Sequence, residues 1–150
     1  MKNFILILAL LLCGLSQIQA QEQFDQKLAD ELGADAYGMK KYVIAFLYRG
    51  DRVNEYSEKE RAELQRGHMD NITQLAEAGK MVLAGPFFGN EELRGLFFFN
   101  VESIEEAEKL TATDPSVQAG VLKMELKEWY GSAALPLLLE LHSKIAKEAI

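Results

Sequence analysis

The sequence predicts an α+β domain in which a four-stranded antiparallel sheet is laid down in the order β-α-β-β-α-β, with both crossover helices on one face. Three observations predict it. Four short runs have strand length and strand composition: YVIAFLY (42–48), MVLAGPFF (81–88), GLFFFNV (95–101) and VLKMELKEWY (121–130). The stretches that separate the first run from the second, and the third from the fourth, open with helix-start signals and continue with helical spacing. Only the turn Gly89-Asn90-Glu91-Glu92 separates the second run from the third, as in a hairpin.

Each element has its own grounds. FDQKLADEL makes two helical turns that Gly33 stops, inside a polar lead-in with some order near Tyr37. YVIAFLY is apolar throughout and ends at Arg49-Gly50-Asp51, as in a strand buried on both faces. Ser57 to Glu60 forms a capping box that starts a long helix reaching about Ala78, where Gly79 ends it. Leu64, His68, Ile72 and Leu75, with Ala76 beside them, lie on one face of that helix. The second strand contains Gly85-Pro86, and proline donates nothing to a ladder, so this strand belongs at an edge or a bulge. The third strand is apolar on both faces. Ser103 to Glu106 is a second capping box, opening a helix to about Thr113 that Asp114-Pro115 breaks. In the last strand Leu122, Met124 and Leu126 alternate with Lys123, Glu125 and Lys127, so one face is wet.

This is the split βαβ arrangement of ferredoxin-like folds. Its first and third strands are central, and they are the two runs that are apolar on both faces. The helices cover one face of the sheet. The other is left with half of YVIAFLY and GLFFFNV, and each large side chain buried there is worth roughly 1.5–3 kcal/mol. A second layer is therefore expected. A homodimer joined through the open sheet faces supplies it, with the tail packing nearby. Within Ala133 to Ile150 the residues Leu135, Leu138, Leu139, His142, Ile145 and Ala149 form one helical stripe, so the tail is itself a candidate cover.

The chain of 150 residues is 49% hydrophobic and 26% charged, which suits one globular domain. Its first twenty residues read as a secretory signal peptide: MKN, the apolar run FILILALLLCGL and the polar exit SQIQA, cut after Ala20. The apolar run is too short for a membrane span of roughly 20 residues. The expected location is the periplasm or the exterior. A lipoprotein signal needs a small residue before its cysteine, and Leu12 precedes Cys13, which disfavours lipid attachment. With the cut at Ala20 no cysteine remains, so disulfides, thiolate metal sites and a cysteine nucleophile are excluded. The organisation is then signal 1–20, extension 21–40, domain 41–131 and C-terminal helix 132–150. Losing Lys2 with the signal takes the net charge from −7 to −8. No basic stripe exists, which argues against nucleic acid, and an acidic surface is not drawn to anionic lipid.

His68 is the sharpest chemical feature, because histidine exchanges protons near neutral pH. Its ordinary alternative is a hydrogen-bonded core residue. Asp114 is either helix-exit chemistry or the acid that orients His68; the second role requires the chain after Thr113 to fold inward. Gly85 and Pro86 offer either a free amide for an oxyanion or an edge bulge. Arg94 either grips a substrate carboxylate bidentately or faces solvent or a dimer contact. Trp129 and Tyr130 line a pocket or close the core. His142 has no other site residue near it in sequence. Two histidines make no metal spacing, and no nucleophile elbow, P-loop or dinucleotide fingerprint is present, so neither metal nor cofactor is expected.

From about Lys40 to Ala134 the chain resembles the YCII-related family. The resemblance rests on His68 in the first helix, Gly79-Lys80, Ala84-Gly85-Pro86-Phe87, Arg94-Gly95, Glu106-Ala107, Asp114-Pro115 and a last strand ending at Trp129. It implies a ferredoxin-like dimer akin to dimeric α+β barrels, with a histidine and an aspartate in a cleft that map to His68 and Asp114. It also implies an enzyme: a few relatives are linked to dehydrochlorination or isomerisation of ring compounds. The chain departs from the family in its signal, in its C-terminal helix and in Ser116, where an aromatic often follows Asp-Pro. The leading expectation is a cofactor-free enzyme of lyase or isomerase type, with His68 as base or acid on a small organic molecule. The alternatives are a non-catalytic dimeric periplasmic binding protein and a metal-free monooxygenase. His68→Ala is expected to spare the fold.

Overall fold

A computed structural model describes residues 24–89 and 91–148. The expected signal segment lies outside them. In chain order the elements are α1 (Gln26–Leu32), β1 (Met39–Arg49), a 3-10 turn (Val53–Glu55), α2 (Glu58–Glu77), β2 (Met81–Pro86), β3 (Leu93–Phe99), α3 (Ile104–Thr111), α4 (Pro115–Gln118), β4 (Leu122–Ser132) and α5 (Leu137–Ile145). The sheet order is β2-β3-β1-β4, antiparallel throughout. This is the ferredoxin-like arrangement, with β1 and β3 central and the proline-bearing β2 at an edge. Among the described residues no helix is long and apolar enough to cross a membrane.

Several boundaries differ from expectation for identifiable reasons. β1 runs beyond YVIAFLY at its start because β4 pairs with it along its whole length, from Met39↔Ser132 to Arg49↔Leu122. That ladder recruits Lys40 and Lys41, which carry no apolar signal. The Ser57 capping box forms in full: Ser57 Oγ accepts from Glu60 N, and Glu60 accepts from Ser57 N. The second box is half closed. Ser103 Oγ accepts from Glu106 N at 3.2 Å, but the Glu106 carboxylate accepts from Glu102 N, one residue early. Nor does the chain simply break at Asp114. It turns at once into α4, with Asp114 as N-cap and Pro115 in the first turn, where its missing N–H costs nothing.

The core lies between the helices and one face of the sheet. Val43, Ala45 and Leu47 of β1, Phe97 and Phe99 of β3 and Met81 of β2 are buried there against Leu75 and Ala107, and Leu122, Met124 and Leu126 pack on from β4. Tyr42, Ile44, Phe46 and Tyr48 alternate with these residues, as do Leu96 and Phe98, and face the other way. On that second face Trp129 is 37% exposed and Leu83 42% exposed.

The lead-in is ordered around Asp35 rather than Tyr37, which is 85% exposed. Asp35 accepts from the amides of Tyr37 and Met39 at 2.9 and 3.0 Å and from the hydroxyl of Tyr130. α5 lies against β2. None of its residues is buried, and its leucines range from 36% exposed at Leu139 to 55% at Leu141. The tail therefore does not sink its stripe as a covering layer would. Leu135 falls outside the helix, and Ala149 lies outside the described residues.

Candidate active site

His68 lies near the middle of α2 and points at the sheet, where its ring stacks on Phe97 with centroids 5.7 Å apart and planes 23° from parallel. The chain after Thr113 does fold inward, and α4 is the means. As N-cap of α4, Asp114 accepts from Ser116 N at 2.8 Å through Oδ1. Its Oδ2 stands 2.6 Å from His68 Nδ1. Asp114 is 1% exposed and His68 7%.

Three further features hold α4 against α2. Ser116 Oγ donates to Leu64 O at 3.2 Å. Asn71 Nδ2 donates to Thr113 Oγ1 at 2.7 Å, and that hydroxyl donates to Leu110 O. At Gly67, next to the histidine, a Cβ would stand only 3.0 Å from Pro115 Cγ, so the glycine gives α4 the room it occupies.

This geometry assigns the protons. A carboxylate only accepts, so the tautomer that suits this contact has Nδ1 donating to Asp114 and the lone pair on Nε2. Every fully buried side-chain nitrogen or oxygen among the described residues has a partner. Nε2 has none among them, so it opens onto the cleft that His68 lines. The cleft measures about 1020 Å³ and runs between α2, β2 and the start of β3.

Gly85, Pro86 and Arg94 all line this cleft. Trp129 does not. Its indole packs on Tyr42 and Phe98, centroids 6.0 and 5.4 Å away, on the sheet face opposite the Phe97 ring beneath His68. Tyr130 points to Asp35. His142, which had no site residue near it in sequence, is brought to the cleft by α5.

Sequence reasoning passed over Asn71, Arg49 and Arg61. Asn71 is on the very stripe of Leu64, His68 and Leu75, and its burial follows from helical spacing. Arg61, Gln65, His68 and Ile72 form a neighbouring stripe that lines the cleft, a signal hidden by counting only apolar residues. Nothing local in the sequence marks Arg49.

A ferredoxin-like sheet with a buried His–Asp pair at the wall of an open cleft is the class of protein these features define. The chain belongs to the YCII-related domain family, whose sequence profile matches residues 41–130. It is 29% identical over 73 residues to the uncharacterized protein YjpA of Bacillus subtilis (strain 168), a match spanning 49% of this chain and 84% of that protein. Among solved structures, one that it is similar to is 5-chloro-2-hydroxyhydroquinone dehydrochlorinase (TftG) from Burkholderia phenoliruptrix AC1100 in complex with 2,5-dihydroxybenzoquinone. The two chains are 17% identical with a TM-score of 0.44, over 60% of this chain and 93% of that one.

Proposed function

We propose that this protein is a cofactor-free enzyme that moves a proton on a small organic molecule, with His68 as general base and acid and Asp114 as its positioning partner. One observation carries the reading: Asp114 engages Nδ1 at 2.6 Å on a histidine that lines the cleft, which favours the tautomer with its lone pair on Nε2. In the forward step Nε2 takes a proton from an activated C–H or O–H bond. The bonding electrons stay on the substrate. The imidazolium that forms lies against the Asp114 carboxylate, which offsets its charge, and the proton returns at a second atom or leaves with an eliminated group. A single positioned group of this kind supplies typically ~10²–10⁴-fold. Gly85, Pro86 and Arg94 line the binding volume in this reading.

The protein works as a homodimer in this proposal, joined through the sheet face that carries Phe46, Leu96, Phe98 and Trp129. It is also exported, on the evidence of its first twenty residues, and cell fractionation of a tagged full-length chain tests that. The catalytic reading is tested by solvent deuterium exchange into a panel of carbon acids, followed by proton NMR. Wild type is expected to exchange at least one of them about 10²-fold or more faster than His68→Asn. Equal rates, with ligand binding intact in both, would instead mark the protein as a binding module.

A further inference from the structure

The chain is acidic, with 23 Asp and Glu against 16 Lys and Arg, yet three of its arginines converge on the cleft. Arg49, Arg61 and Arg94 are all half-buried there, whereas Arg52 and Arg66 are exposed, with Arg52 paired to Glu55. None of the three forms an ion pair with a carboxylate among the described residues. Each instead spends one donor on a neutral oxygen. Arg49 Nη2 donates to Asn54 Oδ1 at 3.2 Å, Arg61 Nη1 to Tyr56 O at 2.6 Å and Arg94 Nη1 to Glu91 O at 3.3 Å. Those bonds hold the guanidinium groups without neutralising them, and most of the five N–H donors on each have no partner among the described residues.

The three come from one end of the sheet. Arg49 closes β1, and its amide donates to Glu92 O at 2.7 Å, two residues before Arg94 at the start of β3. Arg61 is in the opening turns of α2, just after the chain has left β1. His68 follows seven residues later on the same wall, about 10 Å along the helix axis at 1.5 Å per residue. Two carboxylates also line the cleft. Glu77 ends α2, about 24 Å from Arg61 along the axis, and Glu148 adjoins Lys147 in the tail. The cleft therefore has a cationic end, and His68 opens onto it beyond that end over the Phe97 ring.

We propose that the ligand of this site is a small organic carboxylate. Its charged group is gripped by the free donors of Arg49, Arg61 and Arg94, and its apolar body lies along Ile72 and Phe97 so that the atom that changes reaches Nε2. Arginine forks match a carboxylate bidentately, and they hold it more firmly in a half-buried cleft than in water. The carboxylate group also makes an adjacent proton harder to remove unless it is neutralised, which the arginines do. The proposal rests on the catalytic reading for what happens at Nε2, but the recognition of the anion is separable from it.

The experiment is calorimetric titration of the full chain with phenylacetate, benzoate and succinate beside their uncharged amides, in wild type, Arg61→Gln, Arg94→Gln and His68→Asn. At least one acid is expected to bind wild type about tenfold or more tightly than its amide, and that preference is expected to shrink severalfold in either arginine variant. It should persist in His68→Asn and weaken as salt rises. Amides that bind as well as acids, no binding by any of the acids, or a full preference kept by both arginine variants would overturn the proposal. An intact acid preference together with equal deuterium exchange in wild type and His68→Asn supports the anion site while removing only the catalytic reading.

Discussion

His68 and Asp114 share one hydrogen bond, but truncating them has unequal consequences. Asp114 is 1% exposed, and its Oδ2 faces only the histidine. His68→Ala would leave that buried carboxylate short of a hydrogen-bond partner, which costs ~1–3 kcal/mol and more if the group is charged. The burial of Asp114 thus predicts a cost to the fold that the sequence alone does not. A large drop in melting temperature for His68→Ala, with a smaller one for His68→Asn, is the outcome now expected from calorimetry. Asn still offers the carboxylate an N–H but no proton acceptor of useful basicity. Equal melting temperatures for His68→Ala and wild type would mean that Asp114 is not held as a buried anion. Gly67 belongs to the same scale. Gly67→Ala removes a helix-interior glycine, which favours α2 by up to ~1 kcal/mol. It also presses on Pro115 Cγ, only 3.0 Å from the new methyl. Since Pro115 follows Asp114, the expected result is little change in stability but a shifted Nδ1–H resonance and a slower reaction. An unchanged Nδ1–H signal would show that α4 yields without disturbing the pair.

Among the elements, the long helix was the most legible, since its cap, its glycine stop and its apolar stripe agree. β1 was legible in its middle and not at its start, because its length is fixed by a ladder to β4 that begins at Ser132, far away in sequence. The short α4 was missed although Asp114-Pro115 is a good N-cap and first-turn pair; the same dipeptide also reads as a terminator, and only packing against α2, at Gly67, Leu64 and His68, decides between them. The placement of Trp129 could have been read correctly. Leu122, Met124 and Leu126 occupy one face, so an odd-numbered neighbour belongs to the other. The extension gives a pH-dependent test. The hydrogen bond from Tyr130 holds the Asp35 carboxyl below its ordinary range, and the amide of Met39 adds to the effect. A depressed carboxylate pKa contributes stability above the unfolded value, near 3.9, and loses it as pH falls through the lower folded value. The hold of the Asp35 turn on Tyr130 should thus weaken only below about pH 4. In Tyr130→Phe, NMR titration should find the Asp35 pKa raised towards normal; an unmoved value would mean that the hydroxyl is not its main partner.

For the whole molecule, topology followed from the order and composition of the four strand runs, and the His–Asp residue types were visible as well. What no local pattern disclosed was convergence. Arg49 from β1, Arg61 from α2, Arg94 from β3 and His142 from α5 line one cleft only because the fold brings their elements together. The uncovered sheet face is also a property of the whole. Phe46, Leu96 and Phe98 are half-buried there, Tyr42 is already covered within the chain, with Trp129 on its ring, and Lys123, Glu125 and Lys127 keep the β4 side polar. Light scattering at micromolar concentration is expected to give twice the mass of one chain, and Phe98→Glu is expected to halve it. A wild-type monomer would leave the apolar face without its proposed cover.

The tail helix has one more consequence. It brings His142, Ser143 and Ala146 to the cleft, yet it hides no side chain and has no side-chain cap at its start. A wall so lightly fastened can be removed without dismantling the room. Ending the chain after Pro136 should leave the melting temperature nearly unchanged while ligands escape faster, a difference that stopped-flow release would register.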